Sequence, residues 1–366
     1  MAELYHGNIS TKTIWTPASH GGVYTHHRIP GIVITKKGTV IIYCEARDTT
    51  DTAGTFGKGA DWCRMDILLQ RSEDGGSTFE DPIYITRGGC AEDGNAEHIT
   101  VNNPVMIVGN DGLLHLLFCK SYGICGGGLW YTCSSDDGKT WSVAREITVG
   151  ISDEIGYKFN CFAFGPTHGI CTSSGILMSA AWAVPAAEGR DIFLHVPSYA
   201  HVVYSADNGK TWHITKKISQ NTNETDIAEL EDGAIIINSR TGMGFRALNV
   251  CRSFTADAEP VWWGTAYPDE LVDPGCCGGM VSFAHPDIPR VLLTVNCADP
   301  KYRRYITVKC SLDGGMTFSK KLKITENYGG YCDIAVDPCG KVYVLWETAM
   351  GVMMSLTTFS LSDELI

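Results

Sequence analysis

One eight-residue phrase occurs four times in this chain of 366 residues. Each copy reads Ser-x-Asp-x-Gly-x-Thr and closes with Trp or Phe. Fixed positions that recur in the same register are typical of a chain built from structural repeats. Any fold for this chain must therefore place the same local structure at each copy. The copies are Ser72–Phe79, Ser134–Trp141, Ser205–Trp212 and Ser311–Phe318.

The phrase has the chemistry of a turn between two strands. Its Asp can bond the backbone two residues on, and its Gly accepts a positive φ at no steric cost. The Thr is β-branched and suits the strand that resumes after the turn, while the closing aromatic has apolar area to bury. A calcium loop of the EF-hand type would need further oxygen ligands and a Glu at its twelfth position. We therefore interpret the phrase as a structural turn, which we call an Asp-box.

The spacing of the boxes predicts the architecture. The interval between the third and fourth copies is nearly twice the shorter ones, and Ser253–Asp257, with Trp262 beyond it, resembles a decayed copy inside that interval. One four-stranded propeller blade with its loops takes roughly 50–70 residues. We predict an all-β fold, a six-bladed β-propeller of four-stranded antiparallel blades, with residues 1–366 forming a single domain.

Composition agrees with an all-β class and excludes some partners. The chain has 40 Gly and 14 Pro, and its apolar runs are short, with no long helical period. A net charge of −12 argues against nucleic acid as a partner. No run approaches the length of a transmembrane helix, so we expect no membrane segment. Residues 1–15 lack a signal-sequence pattern, which favours the cytoplasm, or secretion if a signal was removed.

The cysteines predict free thiols and no metal site. There are 15 of them, an odd number without regular spacing, which fits free thiols better than a disulfide framework. The vicinal Cys276-Cys277 pair is not a CxxC motif, and His26 and His27 have no partners at metal-ligand spacing. We therefore expect neither a metal nor another cofactor.

A second, sparser pattern lies between the boxes. It includes Arg28-Ile29-Pro30, the stretch Gly165–Ile170, a hairpin from Glu224 to Arg240, and a late tyrosine, Tyr331. With the boxes, and in this order, the set resembles the exo-sialidases (neuraminidases) of the retaining glycoside hydrolase type, over nearly the whole chain. The stretch at 165–170 departs from the family's Gly-Pro-Gly-x-Gly-Ile at its third position.

The resemblance implies three arginines that clamp the substrate carboxylate. Arg28 matches the arginine of Arg-Ile-Pro, Arg240 the one that closes the hairpin, and Arg303 the one before the last box. Arg246 is the alternative to Arg240, and Arg304 the alternative to Arg303, because a slip of one residue on a strand reverses the face. Arginine suits this task because its rigid, always charged fork pairs a carboxylate bidentately.

The resemblance also implies a tyrosine nucleophile, Tyr331, with Glu224 as the base that activates it. Tyr328 and Glu229 are the alternatives, and Glu347 would orient the first arginine of the clamp. A free phenol, with a pKa near ~10, is a poor nucleophile at neutral pH, but a neighbouring carboxylate can take its proton. The anomeric carbon of sialic acid already bears a carboxylate, so a neutral attacking group avoids like-charge repulsion.

An aspartate would complete the set as general acid and base. Counting back from the first box favours Asp61, while counting forward from Arg28 favours Asp51. We favour Asp61, because the strand that leads into the box is fixed whereas the loop before it can vary in length. Candidate residues for the wall of the substrate pocket are Trp62, Met65 and Trp130.

The resulting hypothesis is a retaining exo-α-sialidase that removes terminal sialic acid, or a related nonulosonic acid, through a covalent tyrosyl-sugar intermediate. Its partners would be sialylated glycans or glycoconjugates. One alternative is a non-catalytic propeller that only binds sialic acid. Another is a glycosidase that prefers deaminated sialic acid, and transfer to another sugar in place of water also stays open.

Overall fold

The computed structural model describes residues 6–48, 61, 63–90, 98–122, 128–186, 197–285 and 287–366. These residues form six sheets arranged in a ring, each built on four antiparallel strands, and two of the sheets carry additional short strands. The predicted all-β, six-bladed propeller is therefore confirmed. Two residues named above, Asp51 and Trp62, lie outside the described residues.

The strands follow the ring in chain order after β1 (Ser10–Trp15). Blade one consists of β2 (His26–Ile34), β3 (Val40–Asp48), β4 (Arg64–Ser72) and β5 (Ile83–Arg87). Blade two consists of β6 (Gly89–Cys90), β7 (His98–Val108), β8 (Leu114–Tyr122), β9 (Gly128–Ser134) and β10 (Arg145–Glu146). After the helix α1 (Thr148–Glu154), the third group is β11 (Phe159–Phe164), β12 (Thr167–His168), β13 (Ile170–Cys171), β14 (Leu177–Pro185), β15 (Tyr199–Ser205) and β16 (His213–Ile214).

The second half of the ring is more regular. Blade four consists of β17 (Thr225–Glu229), β18 (Ile235–Arg240), β19 (Arg246–Cys251) and β20 (Trp262–Ala266). Blade five consists of β21 (Gly279–His285), β22 (Ile288–Cys297), β23 (Ile306–Ser311) and β24 (Lys320–Lys323). Blade six contains β25 (Gly329–Val336), β26 (Lys341–Thr348) and β27 (Met353–Ser360), followed by the helix α2 (Leu361–Glu364).

Both ends of the chain contribute to blade six. β1 pairs antiparallel with β27, so that Ser10 lies opposite Thr358. This pairing closes the ring, because the first strand of the chain completes the last sheet. In blade three, β11, β14, β15 and β16 form the sheet, whereas β12 pairs in parallel with β7 of blade two.

Apolar side chains fill the spaces between neighbouring blades. Val295 of blade five and Ile334 of blade six, both fully buried, belong to one cluster that also includes Ile29 of blade one. Burial of such side chains is the main favourable term in folding. Tyr331 belongs to the same cluster, so the packing that joins these blades also holds the proposed nucleophile.

Each box lies in the turn between the third and fourth strands of its four-stranded sheet, when the additional short strands are left out of the count. The boxes thus connect β4 with β5, β9 with β10, β15 with β16, and β23 with β24. In the second copy, the Ser134 hydroxyl donates to Asp136 (2.8 Å) and accepts from the backbone N–H of Gly138 (2.9 Å). Thr140 donates to the Asp136 carboxylate through its N–H (2.8 Å) and its hydroxyl (2.6 Å). Gly138 has a φ of +85°, which a residue with a side chain rarely adopts. The box is thus a self-contained turn, as the sequence predicted.

The closing aromatics and the decayed copy fit the same scheme. Trp212 and Phe318 are buried against their blades. The decayed copy, Ser253–Asp257, lies between β19 and β20, the position that a box occupies in the other blades. It lacks the Gly of the phrase, and its Thr and Asp stand at other positions than in the intact copies. Its position between the third and fourth strands, and not its residues, marks the fourth blade as predicted.

The thirteen cysteines whose side chains the structure describes are free thiols, as predicted. Within the described ranges, none of the helices has the length and apolar character that crossing a membrane requires.

Candidate active site

Five of the predicted site residues lie together near the ends of the first and second strands of their blades. Arg28 lies on β2, Tyr331 on β25 and Glu347 on β26. Glu224 directly precedes β17, and Arg240 is the last residue of β18. Hydrogen bonds link these residues across the ring, although they are far apart in sequence. The closed propeller therefore gathers side chains from blades one, four and six at a single place.

Glu347 is the hub of one side of the site. Its carboxylate accepts from Arg28 Nε (3.0 Å) and Nη2 (3.3 Å), from the backbone N–H of Ile29 (3.0 Å) and from that of Tyr331 (3.0 Å). Gly330 makes this approach possible, because a Cβ at that position would lie 2.2 Å from the Glu347 Oε2. One carboxylate thus positions both the Arg28 side chain and the backbone of Tyr331.

Irregularities in the backbone orient the side chains of Arg28 and Tyr331. The pairing of β2 with β3 shifts register between Arg28 and Gly31, and that of β25 with β26 shifts between Gly329 and Cys332. Ile29 has a φ of +59°, an uncommon conformation for a β-branched residue. Such a residue costs on the order of 1–3 kcal/mol and persists where its surroundings dictate it. Both Arg28 and Tyr331 thus lie at bulges, which commonly re-aim a side chain beside a site.

The tyrosine and its neighbouring glutamate form a hydrogen-bonded pair. Tyr331 Oη donates to Glu224 Oε1. Arg240 Nη1 lies 2.5 Å from Glu224 Oε2 and donates to Tyr331 Oη at 3.1 Å. Burial and the charge of Glu224 raise the pKa of Tyr331 well above its ordinary value, while the arginines act in the opposite sense. The phenol is therefore protonated at rest, with a carboxylate placed to receive its proton.

Three guanidinium groups surround this tyrosine. The Cζ atoms of Arg28 and Arg303 lie 5.1 Å and 5.3 Å from the centre of its ring, and Arg240 contacts its hydroxyl. Arg303 also donates to the carbonyl oxygen of Gly275 (3.3 Å). The three cations outnumber the two carboxylates, Glu224 and Glu347, that pair with them. A locally positive site therefore lies within a chain of net charge −12.

The alternative arginines lie elsewhere. Arg304 Nε donates to Asp299 Oδ2 at 2.6 Å, away from the tyrosine. Arg246 is fully buried, where it donates to the amide oxygen of Asn238 (2.5 Å) and pairs with Asp273 (3.3 Å). Arg240 and Arg303, and not their alternatives Arg246 and Arg304, are therefore the arginines that contact Tyr331.

The alternative glutamate and tyrosine are also separate from the cluster. Glu229 accepts from the backbone N–H (2.8 Å) and the hydroxyl (2.7 Å) of Ser173. Tyr328 is 58% exposed. Glu224 and Tyr331, in contrast, are both buried.

Asp61 contacts a residue to which the sequence gave no role. Its carboxylate lies 2.9 Å from Arg47 Nη1, while its side chain is 73% exposed. Arg47 is buried and also pairs with Glu45, at 2.5 Å. Burial lowers the pKa of Arg28, but the charges of Glu347, Tyr331 and, last, Asp61 raise it, so the Asp61 carboxylate lies within electrostatic range of Arg28. The signal for Arg47 was a cation inside a strand of buried residues.

The candidate pocket residues differ in their placement. Met65 is fully buried on β4, opposite Arg47. Trp130 lies on β9, the third strand of its blade, with the Lys120 ammonium 3.9 Å from its ring centre. Trp62 lies outside the described residues. Gly351, which the sequence did not single out, lies against Arg28, since a Cβ there would be 2.8 Å from Arg28 Nε.

Comparison with known proteins agrees with this arrangement. A family model described as a BNR repeat-like domain matches residues 90–344. A sialidase of Bacteroides fragilis is 27% identical over 358 residues, which cover 89% of this chain and 60% of that protein. A sialidase of Micromonospora viridifaciens is 24% identical over 360 residues, which cover 90% of this chain and 51% of that protein.

A solved sialidase structure is also similar to this chain. The Hadza microbial sialidase Hz136 matches with a TM-score of 0.80 and 25% identity, over 94% of this chain and 68% of that one. The chain spans 60% and 51% of the two curated relatives above. The fold and the arginine-lined site define a β-propeller built on Asp-box repeats. The chain belongs to the BNR repeat-like, Asp-box family of sialidases, which confirms the family resemblance of the sequence.

Proposed function

We propose that the chain is a retaining exo-α-sialidase, a glycoside hydrolase that removes terminal sialic acid from glycans or glycoconjugates. The likeness to sialidases supports exo-sialidase activity in general. The observation that carries the proposal is the Tyr331–Glu224 hydrogen bond beside three arginines. Arg28, Arg240 and Arg303 would bind the substrate carboxylate, since guanidinium groups pair carboxylates with charge-assisted hydrogen bonds.

The first chemical step would form a covalent intermediate. Tyr331 Oη attacks the anomeric carbon while its proton moves to Glu224, to which it already donates. The bond from the anomeric carbon to the leaving oxygen breaks, and Asp61 gives that oxygen a proton. Arg240, which contacts both Tyr331 and Glu224, stabilises the negative charge that shifts between them.

The second step would return the enzyme to its resting state. Asp61, now a carboxylate, takes a proton from water, and the water oxygen attacks the anomeric carbon. The bond to Tyr331 breaks, and the phenolate recovers its proton from Glu224. Two displacements at one carbon give retention of configuration.

The activity and its stereochemistry can be tested together. The chain should release the fluorophore from a 4-methylumbelliferyl α-sialoside, and proton NMR should show the α-anomer of free sialic acid first. Tyr331→Phe should lower kcat by at least ~100-fold, because its ring keeps the packing but lacks the attacking oxygen. No release from any nonulosonic-acid substrate, including the deaminated form, would overturn the proposal.

The acid–base assignment needs a separate comparison. Asp61→Asn should lower kcat strongly with a poor leaving group and much less with an activated aryl group, because protonation matters least for a good leaving group. Asp51→Asn is the matched variant. If only Asp51→Asn shows this dependence on leaving group, Asp51 takes the role proposed for Asp61.

One observation favours the non-catalytic alternative. Asp61 is paired with the buried Arg47 cation, which favours its ionised form over the protonated acid. A propeller that only binds sialic acid would retain the arginines without needing a proton donor. Calorimetric binding of sialic acid by a chain that does not turn over any sialoside would support this second function.

A further inference from the structure

A charged cluster lies buried among the inner strands, one layer away from the tyrosine. It consists of His168, Asp226 and Asp333, and we call it the axial triad. His168 Nδ1 and Asp333 Oδ1 are 2.8 Å apart, and one polar atom of each of the three side chains lies within 4.8 Å of the others. Both aspartates are fully buried, and His168 is 9% exposed. The mechanism above makes no use of these groups.

The axial triad connects blades across the ring. β12, which carries His168, packs against β2, β7, β17 and β25, the inner strands of four different blades. Asp333 accepts the backbone N–H of Ile32 in blade one (2.9 Å). Asp226 likewise accepts the backbone N–H of Met280 in blade five (2.5 Å). The carboxylates therefore hold neighbouring strands as well as the histidine.

The same two strands carry the proposed catalytic pair. Glu224 precedes Asp226 by two positions, and Tyr331 precedes Asp333 by two. Two residues of extended chain span about 6–7 Å, so each aspartate lies within a short step along the chain from one member of that pair. Asp226, His168 and Asp333 thus connect the same two chain segments that the Glu224–Tyr331 hydrogen bond joins. The packing is tight here, because a Cβ on Gly279 would lie 2.7 Å from Asp333 Oδ1.

We propose that His168 is a positioning residue for the reaction, whose positive charge reduces the repulsion between Asp226 and Asp333 and so keeps their strands at the spacing that holds Glu224 against Tyr331. Without a cation, two buried carboxylates would repel each other across the centre of the ring. The inference rests on the proposed function for its catalytic consequence, but its geometric content does not.

The charge state of the triad agrees with this role. Burial lowers the pKa of His168, but Asp333 and Asp226 outweigh that effect and raise it to about 9. Two other titratable groups face the triad, Tyr43, which donates to the Thr167 carbonyl (2.5 Å), and Cys277, whose thiol lies 3.2 Å from the Pro166 carbonyl. Burial raises the pKa of both, so they are neutral when His168 is charged.

A metal ion is the competing occupant of such a cluster, and the hydrogen bonding argues against it. His168 Nδ1 is engaged with Asp333. The oxygens of Asp226 and Asp333 accept backbone N–H groups, including those of Ile227 and Ile334 (2.8 Å each). His168 Nδ1 and the four carboxylate oxygens thus have partners without an ion.

The first test compares His168→Asn with a matched control. Asparagine keeps a donor close to the Nδ1 position but removes the charge. His115→Asn is the control, since His115 is also buried and is bonded to the Tyr131 hydroxyl (2.8 Å) on blade two. We expect His168→Asn to lower kcat about 10–100-fold with KM changed less than about threefold, because misplaced reacting groups lose rate. His115→Asn should keep kcat per folded molecule.

Neutralising one carboxylate should offset the loss of the cation. The double variant His168→Asn/Asp226→Asn should have a kcat at least about threefold higher than that of His168→Asn, because the repulsion between the two carboxylates is gone. Should the single variant not fold, folding of the double variant supports the charge-balancing role, and its failure to fold contradicts it. A stoichiometric metal in the purified chain, lost in His168→Asn, would also overturn the proposal.

A spectroscopic readout separates this inference from the proposed function. The hydroxyl proton of Tyr331 should give a downfield NMR signal, assigned by its loss in Tyr331→Phe. It should move upfield in His168→Asn and stay in place in His115→Asn. An unmoved signal together with an unchanged kcat would overturn the positioning role. A wild-type chain without any hydrolysis, but with the expected movement, would overturn only the proposed function.

Discussion

A single carboxylate, that of Glu347, accepts four hydrogen bonds within the site, two of them from Arg28 and one from the backbone of Tyr331. The sequence predicted its role towards Arg28 through the family resemblance. The bond to Tyr331 could not be predicted, because it depends on a bulge in β25 and on the room that Gly330 leaves. Local backbone irregularities of this kind follow from strand pairing, which no motif encodes.

Replacing Glu347 by glutamine should therefore impair binding and stability together. Glu347→Gln removes the charge that pairs Arg28, so we expect KM for an α-sialoside to rise at least ~10-fold and stability to fall by about 1–3 kcal/mol. Steady-state kinetics and urea unfolding measure both. Glu229→Gln is the control, since its carboxylate bonds to Ser173 away from the site. Equal effects of both variants on KM would contradict the role of Glu347.

At the scale of the element, the Asp-box is the feature whose structure the sequence predicts best. Its turn chemistry and its place between strands were predicted because they depend on a few adjacent residues. The bonds from Thr140, and to a smaller extent the bond from Ser134, lower the pKa of Asp136 to about 2. The site, in contrast, depends on residues that are brought together only when the blades close.

The boxes should matter for stability and not for chemistry. Asp136→Ala removes the acceptor for the Thr140 N–H and hydroxyl, which should cost about 1–2 kcal/mol while kcat stays unchanged. Asp257→Ala, in the decayed copy, should change stability by less than about 0.5 kcal/mol. Chemical unfolding of both variants tests this. A loss of kcat per folded molecule in Asp136→Ala would give the box a functional role that we do not expect.

At the scale of the whole molecule, the ring itself assembles the site. Blade number and class could be predicted from the repeat, since equal phrases imply equal units. The axial triad could not, because His168, Asp226 and Asp333 come from three separate strands with no shared spacing. The only sequence signal in the stretch that holds His168, Gly165–Ile170, is its resemblance to a family segment.

The triad predicts how stability depends on pH. The folded-state pKa of His168, about 9, lies above its ordinary value of 6.5. The contribution of His168 to the free energy of unfolding is therefore complete below pH 6.5 and is lost as the pH rises through 9. This change is on the order of 3 kcal/mol. Urea unfolding should show the wild type losing its advantage over His168→Asn between pH 6.5 and 9.5. Asp226, with its pKa raised by burial to about 7, titrates at the lower edge of this window.

The control for this pH dependence has the opposite sign. Burial lowers the pKa of His115 to about 4, so its contribution is present above pH 6.5 and lost as pH falls through 4. The difference between the wild type and His115→Asn should therefore stay constant between pH 6.5 and 9.5. A parallel decline in both comparisons would mean that the axial triad is not the cause.

The central claim is that Tyr331, activated by Glu224, attacks the sugar. Its most direct test is inactivation of the chain with a 3-fluorosialyl fluoride, which allows the covalent intermediate to form but slows its breakdown, followed by peptide mass spectrometry. We predict that the label resides on Tyr331 and that Tyr331→Phe takes up none. A label on Glu224, Asp61 or another carboxylate would contradict the account.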